Sequence, residues 1–507
     1  MLAAGGLHPG EELLSGEQDD YFEDAAFVGL HRKWLGSRFN GVVQRAPTDC
    51  HLDWGILDGS VPDDIGQEQA ASSPCVADAR HYARERERLH GRWLAKDPRA
   101  SLFLDVWEQV EDVRFVLVYR SPWDVVDSAV RLGSPVFCRR PGIVRSAWLD
   151  HNLRILRFAV EHPDRCRVVA AEAVARAPEL VWDEMRDWVG VSGAPPIGLI
   201  DTGRLVLRDD SSAIADVYRD VYPVHSALLA ALDALACAPR PGSGGARTRT
   251  RRRPSAGGSL PPGTGVQVVI PCRNDGDFLV EAIASVDEQS GDRSDVELTV
   301  VDDGSTDFAT ERVMEALRES GRHVIRLSGV GLSAARNAGA ATSRTLAVVP
   351  LDADNRLLPA MFDAVDLVER LGVDIVHGSW QTFGMRASTV QPPEMRVNEL
   401  VPHNTIDACA AIRRTLLDEL GGWDEALPFW EDWDLWLRCA ARGARTHRVG
   451  GVLYEYLVRP GSLSERPLID TSASLEVLQR IASKNAVVQG AFEDARYGGR
   501  EADDASQ

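Results

Sequence analysis

The chain has 507 residues, 44% of them hydrophobic and 26% charged, with a formal net charge of -20 at pH 7. Such a length predicts about two to four domains, and the composition excludes a fibrous or wholly disordered protein. The acidic balance excludes a general nucleic-acid binder, because a phosphate backbone rewards lysine and arginine.

Eight cysteines, at 50, 75, 138, 166, 237, 272, 409 and 439, show no metal-ligand or redox spacing, so reduced thiols and no zinc site are expected. No run approaches the roughly 18 to 20 apolar residues that cross a bilayer, and the N-terminus lacks the basic-then-apolar layout of a secretory signal. The expected location is cytoplasmic, with at most peripheral contact at the inner face of the membrane.

In chain order, "MLAAGGLHPGEELL" reads as a helix. "RFVLVYR" (114–120) reads as a strand, and the helix after it has Ser121 as N-cap, Pro122 at its first position and Asp124 three residues after the cap. A helix start of this kind exposes N–H groups able to bind an anion.

With "YFED" (21–24), "KDPR" (96–99), "WLDHNLRIL" (148–156) and the region of Glu172, residues 2 to about 200 resemble the sulfotransferase family of P-loop-like proteins. The resemblance implies 3'-phosphoadenylyl sulfate as donor. Arg120 and Ser128 match the pair that holds its 3'-phosphate, and Lys96 of "KDPR" joins the donor site.

Members of that family begin with a strand and a glycine-, serine- and threonine-rich loop that cradles the phosphosulfate. Here the sequence starts after that point, so this domain is expected not to catalyse sulfation. Either the true start lies roughly 20 residues upstream, the length of one strand plus its loop, or the domain is a relic used for binding. With the loop restored, Glu23 becomes a candidate base.

Residues 238–264, rich in glycine, proline, serine and arginine, are expected to be a flexible linker between a domain over 1–237 and one over 265–490. Its arginines, Arg247, Arg249 and Arg251 to Arg253, read as a self-repelling spacer, the alternative being contact with anionic lipid or nucleic acid. The polar tail over 491–507 is expected to be disordered.

Beyond the linker, "VQVVIP" (266–271), "VELTVVDD" (296–303), "HVIRL" (323–327) and "TLAVVPLD" (345–352) are strand-like and alternate with helical patterns. That alternation predicts an α/β fold with a mostly parallel, doubly wound sheet, whose ligands bind beyond the carboxyl ends of the strands. "PCRND" (271–275), "DDGSTD" (302–307) and "LDADN" (351–355) all fall there.

Along an extended chain Asp352 and Asp354 point the same way and Ala353 points inward. Two convergent carboxylates call for a cation, and hard oxygen ligands favour magnesium or manganese; the alternative is an ordinary turn. Arg336 is either a ligand for phosphate or base, approached closely past its small neighbours, or an exposed helix arginine. In "FWEDWDLWLRCAARG", Glu431, Asp432 and Asp434 are either catalytic carboxylates or helix caps. Trp423 and Trp430 read either as stacking platforms for a ligand or as core.

The ordered series "VVIPCRND", "VVDDGSTD", "GLSAARNAG", "LDADN", "GGWDE" and "EDWDLWLR" resembles glycosyltransferase family 2, the inverting enzymes of the Rossmann-like GT-A fold, over roughly residues 265–465. The resemblance implies a nucleotide-sugar donor, with a UDP-sugar favoured, and a glycan or lipid-linked acceptor. Pro271 and Asn274 would shape the loop around the base, and Asp303 would meet uracil or ribose, a task Asp302 could share. Arg336 would face diphosphate or base, Asp352 ribose and metal, and Asp354 the metal, either Mn2+ or Mg2+.

Asp432 would be the catalytic base, with Glu431 positioning the acceptor and Asp434 structural. Near "YEYLVRPGSLS" many relatives carry a metal-binding histidine, whereas this sequence has Arg459, a residue suited to diphosphate. The function expected is inverting sugar transfer in surface or secreted glycan synthesis. The alternatives are a bifunctional glycosyltransferase and sulfotransferase, or a non-catalytic glycan-binding scaffold.

Overall fold

The structure is a computed structural model. It describes residues 13–16, 19–38, 74–193, 207–208, 211–240, 253–291, 293–401, 403–462, 471–484 and 489–490. The chain divides into two units. The first comprises Met1–Ala129, Arg140–Asp210 and Pro223–Arg247, and the second Val130–Arg139, Ser211–Tyr222 and Thr248–Gln507. The units interleave in sequence, unlike the single break expected at a linker.

In the first unit, β1 (Leu13–Gly16) pairs antiparallel with β2 (Asp19–Asp24). The helix expected over "MLAAGGLHPGEELL" lies mostly outside the described residues, and its last two residues, Leu13 and Leu14, open β1 instead. Helices α1 (Ala25–Arg38) and α2 (Pro74–His90) enclose an aromatic core with Trp34, Phe103 and Trp107.

His31 is buried in that core, where its Nε2 accepts from the Trp107 indole at 2.8 Å and its Nδ1 lies 2.7 Å from Asp97 Oδ2. The indole can only donate, so the proton of the neutral ring belongs on Nδ1, facing Asp97. Burial lowers the pKa of His31 and Asp97 opposes the fall. Strands β3 (Phe115–Tyr119) and β4 (Cys166–Ala170) pair in parallel, with α3 (Pro122–Arg131) following β3.

The second unit is built on a 9-stranded sheet. Its parallel portion runs β7 (Val324–Arg326), β6 (Val296–Asp302), β5 (Val266–Cys272), β8 (Ala347–Pro350). The strand-like runs of the sequence account for all of these. Every side chain of β5 and β6 is buried, which is why they read as continuous apolar runs rather than alternating ones.

Gln267, inside β5, is satisfied by donating to Thr299 Oγ1, Gly339 O and Thr342 Oγ1 and by accepting from Arg414. The rest of the sheet is mixed, continuing from β8 through β12 (Ala411–Arg413), β10 (Ile375–Gly384) and β13 (Thr446–Val458) to β9 (Arg356–Leu357). Strand β11 (Ser388–Val390) pairs with β10.

Helices α4 (Ala213–Val221), α5 (Gly276–Ser290), α6 (Phe308–Glu319), α7 (Leu332–Ala340), α8 (Ala360–Arg370) and α9 (Glu431–Ala441) belong to the same unit. Two of its pieces come from the region expected to be the N-terminal domain. Val130 and Cys138 join Phe278, Phe383 and Leu457 in a buried cluster, and α4 packs on α5 and α6.

Residues 253–264, expected to belong to the flexible linker, are built onto the sheet. Ser255 bridges to Glu297, whose carboxylate also accepts from the backbone N–H of Gly258 and Leu260. Arg253 pairs with Asp220 at 2.5 Å. The buried Glu297 needs hydrogen-bond donors, and this segment supplies them. The other linker arginines, Arg247, Arg249, Arg251 and Arg252, and the tail 491–507 lie outside the described residues.

Candidate active site at the strand ends

The polar clusters after β5, β6 and β8 converge on one rim of the sheet. Beyond β8, Asp352 and Asp354 are half-buried while Leu351, Ala353 and Asn355 are buried, the alternation an extended chain dictates.

Arg336, on α7, is 1% exposed and so is not a surface helix arginine. One terminal nitrogen donates to Asp352 Oδ1 at 2.7 Å and the other to Glu431 Oε1 at 2.5 Å. Burial opposes its charge, but Asp352 and Glu431 outweigh that and raise its pKa.

The small neighbours of Arg336 serve the sheet rather than a ligand. An added Cβ on Gly339 would stand 2.4 Å from Val269 Cγ1, and Ala335 is fully buried. Gly331, at φ 103, makes the turn that starts α7.

Asp303 spends both carboxylate oxygens on this same turn, accepting from Val330 N at 2.7 Å and Gly331 N at 2.9 Å. Asp302 is buried and accepts from Ser305 N at 2.9 Å. Asn274 sits at φ 60, a conformation it tolerates better than most residues, and its Oδ1 accepts from Thr306 N and Asp307 N. Pro271 is buried within β5. These residues hold the loops of the rim in place. Asp307 caps α6 by accepting from Thr310 N at 2.8 Å.

Glu431 opens α9, and the residue before it, Trp430, takes φ 62. A bulky side chain pays for that left-handed conformation, and the packing that holds it is edge-on contact with Phe429 at 5.1 Å and Trp433 at 5.4 Å. Trp423 is core, at 1% exposure.

Asp432 accepts from Asn404 Nδ2, 3.1 Å from both of its oxygens, and from Trp433 N at 2.7 Å. Burial raises its pKa, and the charges of Glu431 and Asp407 raise it further, while Asn404 and Arg336 pull the other way. A carboxylate with raised proton affinity is what a general base working near neutrality requires. Asp434 points elsewhere, paired with Arg438 at 2.8 Å and Lys484 at 2.6 Å.

Asp407 escaped the reading of the sequence. It carries no motif, and only the pairing of β12 beside β8 brings its loop to Asp352. Burial and the charge of Asp352 raise its pKa, with hydrogen bonds from Cys409 N and Tyr454 opposing the rise. Asp275 is the other addition. Arg459 donates from Nε to Asp354 Oδ2 at 2.7 Å and from a terminal nitrogen to Asp275 Oδ1 at 2.8 Å. Burial pushes the Asp354 carboxyl up to about 6, with Arg459 opposing and Asp275 and Asp352 adding to the rise.

Asp352 and Asp354 each give an oxygen to a guanidinium, and among the described residues no group of three or more His, Cys, Asp or Glu is disposed to hold a metal ion. The cationic charge that two convergent carboxylates demand comes from Arg336 and Arg459. Each carboxylate expected to ligate Mn2+ or Mg2+ is thus paired with an arginine in this structure.

In the first unit, Lys96 and Ser128 are exposed and Arg120 is half-buried. Asp97 of "KDPR" faces the core, bound to His31 and Arg99. The anion expected at the start of α3 is the protein's own: Glu172 accepts from Ser121 N at 2.9 Å and Ser121 Oγ at 2.6 Å.

A family model described as Glycosyl transferase family 2 matches residues 267–421. The chain is 27% identical over 241 residues to the uncharacterized glycosyltransferase EpsJ of Bacillus subtilis (strain 168), covering 43% of this chain and 70% of that protein. It is 27% identical over 227 residues to the succinoglycan biosynthesis protein ExoU of Rhizobium meliloti (strain 1021), covering 40% and 64%.

Among solved structures, S. aureus TarS 1-349 in complex with UDP-GlcNAc superposes with a TM-score of 0.39 at 19% identity, over 45% of this chain and 70% of that one. The mannosyltransferase PcManGT from Pyrobaculum calidifontis, in complex with GDP-Man and Mn2+, does so with a TM-score of 0.33 at 18% identity, over 48% and 78%. At such scores no detail of their sites is transferred to this chain.

The comparisons give the sulfotransferase resemblance of the N-terminal half no support, and the matched model lies wholly beyond it. The C-terminal half of the chain carries a glycosyltransferase family 2 domain.

Proposed function

We propose that the second unit is an inverting glycosyltransferase that moves a sugar from a nucleotide-sugar donor to a hydroxyl of a glycan or lipid-linked acceptor. The observation that carries this reading is the position of Asp432. It is a half-buried carboxylate of raised proton affinity, next in sequence to Glu431, whose bridge through Arg336 reaches Asp352 at the strand ends.

In the proposed step the acceptor oxygen attacks the anomeric carbon of the donor and forms the new C–O bond. The bond to the diphosphate breaks on the opposite face, its electron pair leaving on the phosphate oxygen. Asp432 takes the hydroxyl proton, Glu431 positions the acceptor, and Pro271, Asn274 and Asp303 shape the base pocket. Asn274 and Asp303 act through the loops they brace. The resemblance favours uridine as the base. The similarity to EpsJ, an uncharacterized glycosyltransferase, and to ExoU, a succinoglycan biosynthesis protein, supports glycan assembly as the setting.

Sulfation is not part of the proposal, because the Glu172 carboxylate stands where the start of α3 would receive a donor phosphate. Work inside the cell is proposed, with at most peripheral membrane contact; among the described residues no helix is long and apolar enough to cross a membrane.

The test is incubation of the full-length protein with radiolabelled UDP-, GDP- and dTDP-sugars and a bacterial glycolipid extract. Transfer from one donor, lost in Asp432→Asn, is expected. An Asp432→Asn protein that transfers at the parent's rate refutes the assignment, and absence of nucleotide binding favours a scaffold.

A further inference from the structure

We infer that the guanidinium of Arg459 takes the place of a divalent cation in this site, so that the donor's diphosphate is bound without Mn2+ or Mg2+. The inference rests on the nucleotide-sugar reading above.

Arg459 follows directly on β13 and is gripped from three sides. Asp354, beyond β8, and Asp275, beyond β5, accept from it at 2.7 and 2.8 Å, and the face of Phe278 lies 4.6 Å from its central carbon. Two carboxylates from neighbouring strand ends and an aromatic face define a position for one cation, and a side chain already fills it. A metal ion bound between Asp354 and Asp275 would have to displace the guanidinium or sit against its charge.

Asp275 and Asp354 are met by the one guanidinium of Arg459, and Asp352 by that of Arg336.

A guanidinium also suits the task that falls to it. It carries five N–H donors, of which two are committed to the carboxylates, and its planar fork matches phosphate oxygens. Half-buried and packed against Phe278, it is oriented before the donor arrives. When the anomeric bond breaks, the electron pair that moves onto the diphosphate oxygen meets a fixed positive charge.

The test uses full-length protein stripped with EDTA and titrated calorimetrically with UDP, GDP and dTDP, with and without added Mn2+ or Mg2+. At least one nucleotide is expected to bind the stripped protein, with an affinity that metal changes by no more than about twofold. Arg459→Gln is expected to weaken that binding by about 100-fold in EDTA, and Mn2+ to restore it through the carboxylates thereby released. Arg459→Lys, which keeps the charge, guards against a folding defect and should bind within about tenfold of the parent.

Binding that needs metal in the parent protein overturns the inference and leaves the glycosyltransferase reading intact. Unchanged binding by Arg459→Gln in EDTA overturns it equally. If no nucleotide binds under either condition, the nucleotide-sugar reading itself fails.

Discussion

Glu431 and Arg336 stand 95 residues apart in the chain and 2.5 Å apart in the fold. Because the same guanidinium also holds Asp352 at 2.7 Å, the start of α9 is tied to the end of β8 through one buried side chain. Removing one member of a buried ion pair strands the others, at a cost of about 3–5 kcal/mol. Arg336→Ala should lose stability on that scale in urea denaturation, and transfer with it. Arg336→Lys keeps the charge but lacks the fork that reaches both partners, so it should restore part of the stability and little of the transfer.

The proposed reading gives Asp432 a role in chemistry and Asp434 one in structure. Asp432→Asn should lower the transfer rate by about 10²–10⁴-fold while nucleotide affinity in calorimetry stays unchanged. Asp434→Asn, which breaks contacts to Arg438 and Lys484, should lower the melting temperature and spare the rate per folded molecule. The reverse pattern would exchange their roles.

The pH profile carries a signed expectation. A base works only when deprotonated, and burial with the charges of Glu431 and Asp407 raises the pKa of Asp432, so the rate should fall as pH drops through that raised value. Asn404 favours the charged form by donating to both oxygens. Asn404→Ala should therefore move the acidic limb of kcat/KM to higher pH. A limb that does not move counts against Asp432 as the base.

Gly339 tests the seating of α7 on the sheet. A methyl group there would meet Val269 Cγ1 at 2.4 Å and Val301 Cγ2 at 2.9 Å. Gly339→Ala should cost about 1–3 kcal/mol by overpacking, read in thermal melts, and should displace Arg336 with the helix. An unchanged melt would show that α7 can shift freely.

The sequence by itself determined the parallel half of the second unit and the ends of its strands. The apolar runs of β5, β6, β7 and β8 and the helices between them are local patterns, and a parallel sheet buried on both faces leaves no other arrangement for them. For the same reason Asp303 and Asp352 could be placed at strand ends from their motifs, whereas Asp432 lies on α9, beyond β12.

What each carboxylate faces was decided by the tertiary structure alone. Asp303 grips the turn before α7, Asp354 and Asp275 grip Arg459, and Asp407 comes to Asp352 across β12. The addition of segments 130–139 and 211–222 to the second unit was equally invisible. A carboxylate's neighbours are set by contacts between residues distant in sequence, and the electrostatic work of a site depends on those neighbours more than on the residue type.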